Sequence, residues 1–359
     1  MTLISKNYTK PYFMKKLFNL LAMMIIAVLF TNCRSTAPES DQLLLEADSL
    51  LYCENPEDRA KGREMLRKLE RDYPRYSDLL VFLGNYALDD EQYDVAVDYF
   101  TRAIKCYGKA SKFDHYYLYG IRAFAYRDMG NYEAAVCDLN KTYELALDDD
   151  PEAAIRAILY RADVRYKQQM YDESNADCEW ILSQDSLNYE AIICIARNHN
   201  AQGLYSEAIE LADKSEQINP AYYATYKIRM QSYLGLGENH KAIDDAVQFI
   251  DVNDFNDLSA TDSIMMADFA YAHQCVDAKI KTDDCAEIWQ YFKANLYSLA
   301  GEYDTCLAYI ATLEKKYGAT FEIIICRAAC YKLMGDIEKE QTELAKAFEN
   351  YPLDDINEE

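Results

Sequence analysis

The sequence predicts an all-α protein built from repeated pairs of antiparallel helices. Three observations support this class. Apolar residues recur at intervals of three and four, glycines recur 34 residues apart, and small residues stand at fixed distances from those glycines. Half of the 359 residues are hydrophobic, while glycine (11) and proline (7) are few, so a disordered or collagen-like chain is excluded.

The glycine column marks the predicted turn inside each helix pair. Gly203 and Gly237 are 34 residues apart, as are Gly301 and Gly335, and Gly130 belongs to the same column. Glycine suits this place because it readily adopts the positive φ that ends a helix. A tyrosine stands two residues beyond the turn position in five units: Tyr93, Tyr132, Tyr171, Tyr205 and Tyr303.

Two columns of small residues predict where the helix axes approach closely. The column on the first helix of each pair contains Gly84, Ala123, Ala162, Ala196, Ala294 and Ala328, with Met230 as the exception. The column on the second helix contains Ala96, Ala135, Ser174, Ala208, Ala242 and Cys306. Pro74, Pro220 and Pro352 follow the second helix in three units, where proline stops the helix.

Together these columns resemble the tetratricopeptide repeat, most clearly over residues 196–220 and 327–352. The resemblance covers residues 43–352, with about seven recognisable units. A degenerate unit is expected near 253–286, with a helix over 261–275 and a shortened second helix. The resemblance implies a right-handed superhelical solenoid whose first helices line a concave groove that binds a protein or peptide.

A second pairing recurs within the units. Arginines precede the first small column, and acidic residues follow them at a distance of 16 residues: Arg122 with Asp138, Arg161 with Asp177, Arg229 with Asp245, and Arg327 with Glu343. Lys293 with Tyr309 departs from the rule. The matched positions predict contacts between the two helices of a unit, with a structural role.

Residues 1–32 predict a signal peptide. Lys15 and Lys16 precede an apolar run over 17–30, which is shorter than a membrane span requires. Cys33 follows in a context that resembles a bacterial lipoprotein cleavage site, which implies acylation of Cys33 and attachment to the envelope, the outer membrane in preference to the inner. Residues 33–42 are then a tether and 353–359 an acidic tail. An uncleaved anchor helix is the alternative, and translation starts at Met1 or Met14.

Several function classes are excluded or disfavoured by composition and motif. The net charge is −24, and residues 1–32 carry four lysines and no acid, so the remainder is near −28 and repels nucleic acid. No nucleophile, phosphate-binding or dinucleotide motif is present, and no histidine has metal-ligand spacing, so we expect no enzyme activity, cofactor or metal. A disulfide between Cys275 and Cys285 remains open, and most of the other cysteines are expected to be buried and reduced.

The candidate groove residues lie next to the first small column or one turn away. They are Phe124, Arg127, Asp163, Tyr166, Arg197, Asn200, Lys227, Gln231, Tyr291 and Asn295. Aromatic and arginine side chains are typical of protein interfaces. Lys227 matches the family's peptide-carboxylate clamp in part, but Gln231 stands where that clamp has asparagine, so no clamp is predicted. The alternatives are a solvated face without a ligand and a nutrient- or glycan-binding lipoprotein built on the same helices.

Overall fold

The computed structural model describes residues 39–350 except 52, 54, 109–110, 254–258 and 283–285. Over this part of the chain the regular elements are all helices, which confirms the all-α prediction. The predicted signal peptide, Cys33, most of the tether and the acidic tail lie outside the described residues. The chain divides into an N-terminal unit of residues 33–201 and a C-terminal unit that contains residues 202–359.

The N-terminal unit is a succession of helices in which each helix packs on the next. Its helices are α1 Glu39–Leu51, α2 Pro56–Asp72, α3 Ser77–Asp89, α4 Tyr93–Cys106, α5 His115–Asp128, α6 Tyr132–Ala146, α7 Pro151–Lys167, α8 Tyr171–Gln184 and α9 Tyr189–Ala201. Successive buried clusters run along the unit, because each pair buries its apolar stripe against its neighbours.

The C-terminal unit follows the same pattern with one irregular segment. Its helices are α10 Tyr205–Ile218, α11 Tyr223–Gly235, α12 Asn239–Val252, α13 Ser259–Met265, α14 Phe269–Thr282, α15 Ala286–Leu299, α16 Tyr303–Tyr317, α17 Phe321–Met334 and α18 Ile337–Asn350. A 3₁₀ turn, Met266–Asp268, joins α13 to α14. The largest core cluster of this unit surrounds Phe249 and Trp289, both almost fully buried.

The irregular segment differs from the sequence expectation in one respect: the short helix is the first of the pair. The expected helix over 261–275 is interrupted, and α14 extends over 14 residues as the complete partner. Asp268 explains the break, because its carboxylate accepts a hydrogen bond from the backbone N–H of Tyr271 at 3.1 Å and so begins a new helix.

The turns confirm the role of the glycine column. Positive φ angles of 75–79° occur at the turn glycines Gly130, Gly203, Gly237, Gly301 and Gly335. In two units that lack this glycine, Glu91 (φ 59°) and Gln169 (φ 61°) occupy the same position with the same handedness. The turn geometry is therefore kept even where the residue is unfavourable for it.

The small columns are buried as predicted. At the tightest crossing, a Cβ added to Gly84 would lie 2.3 Å from the ring of Phe100, so only glycine fits there. Ser174, which stands where other units have alanine, is fully buried and donates a hydrogen bond to the carbonyl oxygen of Ala162 at 2.8 Å. Small residues at these crossings therefore set the spacing of the helices that carry the candidate site.

Candidate functional site

The arginine–acid pairs predicted within the units are in contact. Arg122 binds both carboxylate oxygens of Asp138, at 2.7 Å each, and Arg229 binds Asp245 in the same two-point manner at 2.8 and 2.7 Å. Arg161 donates to Asp177, with Nε to oxygen at 3.0 Å. In the last pair Arg327 lies 3.5 Å from Glu343.

Each of these arginines also reaches the second helix of the preceding pair, which sequence reasoning missed. Arg122 donates to Thr101 at 2.9 Å, and Arg229 binds Asp213 at 2.6 Å. Arg327 binds Glu314 at 2.6 Å. In the N-terminal unit the second partner lies 21 residues back along the chain, since Arg161 reaches Asn140 as Arg122 reaches Thr101. In the C-terminal unit it lies 13 or 16 residues back, so no single spacing recurs in every pair. The arginines join three helices each, and their role is structural.

Lys293, the exception in sequence, makes an equivalent junction with different partners. Its ammonium lies 2.6 Å from the carboxylate of Asp277 on α14 and 5.2 Å from the ring centre of Tyr309 on α16. The positive charge is therefore held by an acid on one neighbouring helix and by an aromatic face on the other.

The predicted groove residues of the N-terminal unit form one contiguous cluster. We call Phe124, Arg127, Asp163, Tyr166 and Arg197 the first-helix face, because they lie on α5, α7 and α9, the first helices of consecutive pairs. Asp163 joins the three helices: one carboxylate oxygen lies 2.8 Å from Arg197, and the other lies 3.8 Å from Arg127. Asn200, also predicted, lies one turn beyond Arg197 on α9 and is half-buried.

Each arginine of the first-helix face lies over an aromatic ring. The guanidinium carbon of Arg197 is 4.0 Å from the ring centre of Tyr166, and that of Arg127 is 5.1 Å from Phe124. Tyr160 packs edge-on against Phe124, with ring centres 4.6 Å apart. Sequence reasoning missed Tyr160, although its position three residues before Asp163 places both on one side of α7.

The charges of the first-helix face balance locally. Arg127 also binds the neighbouring Asp128 at 2.7 and 3.1 Å, so two arginines face two aspartates. Burial disfavours the charged form of Arg197, but Cys194 and Asp163 beside it hold its pKa above the usual value. In a body whose net charge is near −28, this is a locally neutral surface of planar guanidinium and aromatic groups.

The four predicted residues of the C-terminal unit fall into two separate pairs. Lys227 and Gln231 lie on α11, and the Lys227 ammonium is 5.9 Å from the ring centre of Phe249. Tyr291 and Asn295 lie on α15, where the Tyr291 hydroxyl donates to Glu287 at 2.7 Å. The short helix α13 contacts both α11 and α15 and so separates the two pairs.

A further aromatic group, which sequence reasoning did not single out, surrounds the loop before α5. Tyr107 stacks on His115 with ring centres 4.2 Å apart and an interplanar angle of 5°, and burial lowers the pKa of His115. Phe113 stacks on Tyr117 at 5.4 Å and 13°. Tyr107 and Tyr117 are each more than one-third exposed, so aromatic faces are available at this loop.

Comparisons with known proteins give fold-level similarity only. No family model and no curated protein matches the chain. Among solved structures, a tetratricopeptide repeat protein from Parabacteroides merdae ATCC 43184 is 15% identical with a TM-score of 0.35, over 68% of this chain and 96% of that one. TTC0263, a thermophilic TPR protein in Thermus thermophilus, is 16% identical with a TM-score of 0.36, over 60% of this chain and 98% of that one.

YrrB, described as a TPR protein with an unusual peptide-binding site, is 12% identical with a TM-score of 0.35, over 54% of this chain and 94% of that one. At these scores the likenesses add nothing to what the coordinates show directly: helix pairs, left-handed turn residues and buried small columns. The repeated unit is a tetratricopeptide-like helix pair.

Proposed function

We propose that the chain is a non-catalytic lipoprotein of the bacterial envelope that serves as a protein–protein interaction scaffold and binds a peptide or protein partner in a groove formed by its first helices. The observation that carries this proposal is the arrangement on the first-helix face, where Asp163 holds Arg127 and Arg197 above aromatic rings. Arginine and aromatic side chains contribute most of the binding energy at many protein interfaces.

The arrangement favours binding because its side chains are already ordered. Immobilising a long side chain on association costs about 0.5–1.5 kcal/mol, and the ion pairs with Asp163 reduce that cost for Arg127 and Arg197 before a partner arrives. Tyr160, 41% exposed beside Phe124, adds an apolar surface with a polar tip. A partner segment that stacks on these planar groups would therefore bind with little reorganisation.

The envelope location rests on the N-terminal sequence. The basic and apolar segment before Cys33 supports export and acylation, and several acyl chains anchor a protein firmly where one anchors it marginally. Among the described helices, none combines the length and apolar character needed to cross a membrane. In the proposal, attachment to the membrane is through lipid on Cys33, and neither nucleic acid nor a cofactor takes part.

The binding proposal is tested by charge reversal on the first-helix face. Arg197→Glu would place a carboxylate beside Asp163 and remove the cation over Tyr166, so recovery of the native partner from crosslinked cells should fall at least tenfold. Lys227→Glu tests the C-terminal unit in the same way. Lys141→Glu, on the second helix α6, makes the same charge change at an exposed position away from the face. Equal recovery with Arg197→Glu and Lys141→Glu, with helicity unchanged, would reject the site.

A second candidate function, glycan binding, is favoured by one observation. The stacked pairs Tyr107–His115 and Phe113–Tyr117 present partly exposed aromatic faces around the loop before α5. A glycan array probed with the native chain and with Tyr107→Ala separates the candidates. Binding that the variant loses would support the glycan function, whereas no binding to any glycan would leave the scaffold proposal alone.

A further inference from the structure

Cys178 and Cys194 face each other across the packed helices α8 and α9. Two polar contacts fix the register of these antiparallel helices: Asn198 donates to the hydroxyl of Ser174 at 2.9 Å, and the same hydroxyl lies 3.9 Å from the sulfur of Cys194. One turn after Ser174 comes Cys178, and one turn before Asn198 comes Cys194. The two thiols are accordingly in hydrogen-bonding contact.

The surroundings make the two sulfurs unequal. Cys194 lies within 3.6 Å of the guanidinium of Arg197, whereas Asp177 is the charged neighbour that Cys178 meets on its own helix. The hydrogen bond from Cys178, followed by the charge of Arg197, lowers the pKa of Cys194 below its usual value against the effect of burial. The same hydrogen bond and burial raise the pKa of Cys178. Cys194 is therefore the nucleophile of the pair.

We propose that Cys178 and Cys194 are a redox-active thiol pair, which a small oxidant such as hydrogen peroxide converts into a disulfide between α8 and α9. The Cys194 thiolate attacks a peroxide oxygen and the O–O bond breaks. The hydroxide that leaves takes up the proton lost by Cys194 and becomes water. Cys194 is then a sulfenic acid.

The second step closes the disulfide. The Cys178 sulfur attacks the Cys194 sulfur, the S–O bond breaks, and the hydroxyl group leaves with the proton of the Cys178 thiol as a second water. Two electrons pass from the two sulfurs to the peroxide. Cys178 is fully buried and Cys194 is only 9% exposed. A small oxidant therefore reaches the pair more readily than the disulfide of another protein, which would have to approach as a bulky reactant.

A second thiol pair in the chain provides the matched control. Cys306 and Cys330 are also buried and in hydrogen-bonding contact, but burial raises the pKa of Cys306. Beside Cys306 stands another thiol, where Cys194 has the guanidinium of Arg197. If contact and burial alone determined reactivity, the two pairs would oxidise together. If the cation beside Cys194 matters, Cys178 and Cys194 oxidise first.

The test is a peroxide titration of the reduced full chain, followed by thiol blocking and peptide mass spectrometry. A glutamate-specific protease is needed, because cleavage after Glu179 and Glu190 separates the two cysteines, whereas both lie in one tryptic peptide. The linked 178–194 peptides should appear at least tenfold faster than Cys306 and Cys330 lose their thiols. In Cys178→Ser, dimedone should trap a sulfenic acid on Cys194.

The pH profile gives an independent check. Since only the thiolate attacks, the rate of linkage should rise with pH at values below the ordinary pKa of a cysteine thiol, while Cys306 stays unreactive across that range. The proposal is wrong if both pairs oxidise at the same rate, or if Cys194 forms its disulfide with a cysteine other than Cys178. It is also wrong if Cys178 and Cys194 can still be blocked as free thiols after Cys306 and Cys330 have been oxidised.

Discussion

At the residue scale, a recurring arginine holds consecutive helix pairs together. Its acidic partner 16 residues ahead was predictable, because a fixed spacing within every unit leaves a pattern in the sequence. Its partner on the preceding helix was not, because the distance along the chain differs between the N-terminal and C-terminal units and the partner changes in type, from Thr101 to Asp213 and Glu314. Tyr160 was missed for a related reason: its importance comes from Phe124 on a neighbouring helix.

The pair Arg122–Asp138 allows a direct measurement of this junction. Both side chains are largely buried, and the contact is a two-point one, so removing either leaves a charge without its main partner. A double-mutant cycle with Arg122→Ala and Asp138→Ala, followed by urea unfolding, should give a coupling energy of about 1–3 kcal/mol.

The exposed pair Lys141–Glu144 is the control for that cycle and should show no measurable coupling. Equal coupling in the two pairs would mean that Arg122 and Asp138 contribute no more than a surface ion pair, and the structural role assigned to the arginines would fail.

At the element scale, the turns between paired helices share a left-handed backbone conformation even where the residue type differs. The sequence predicted the turn wherever glycine stood in the column, and the structure shows the same left-handed residue at Glu91 and Gln169. The break between α13 and α14 was not predictable from apolar spacing, since it depends on whether Asp268 caps the helix that follows it.

Replacing Gln169 by glycine should stabilise the chain. The left-handed conformation costs a residue with a Cβ about 1 kcal/mol of conformational energy, and glycine avoids that cost. Part of the gain is offset because glycine increases the conformational entropy of the unfolded chain. We expect Gln169→Gly to increase the free energy of unfolding by about 0.5–1 kcal/mol, seen as a higher urea midpoint with an unchanged slope.

The reverse change, Gly203→Ala, is the matched control. Its φ is 79°, and an added Cβ would meet no atom within 4 Å, so any loss of stability comes from backbone conformation alone. The midpoint should fall by a comparable amount. A lower midpoint for Gln169→Gly would show that the turn at residue 169 is not strained.

At the scale of the whole molecule, the sequence predicted the helical class and the repeat with near-complete coverage of the described residues, because period, glycine, tyrosine and small columns agree. Its prediction of the groove residues succeeded as one cluster in the N-terminal unit only. In the N-terminal unit regular pairs bring Phe124, Arg127, Asp163 and Arg197 together, whereas in the C-terminal unit the inserted helix α13 separates Lys227 from Tyr291.

The proposed lipid anchor at Cys33 concerns the whole chain and has its own test. Cys33→Ala should move the protein from the membrane fraction to the soluble fraction and remove an acyl mass from its N-terminal peptide. Membrane association that persists in Cys33→Ala would favour the uncleaved anchor helix in place of acylation.

The central claim, that the first-helix face is a surface of contact with a partner, is tested most directly by site-specific photocrosslinking in native cells. A photoreactive residue replaces either Tyr160, which is 41% exposed beside Phe124, or Trp180, which is 38% exposed on the second helix α8. The account predicts a discrete crosslinked partner from position 160 and none from position 180. Equal crosslinking from both positions, or crosslinking from 180 alone, would contradict it.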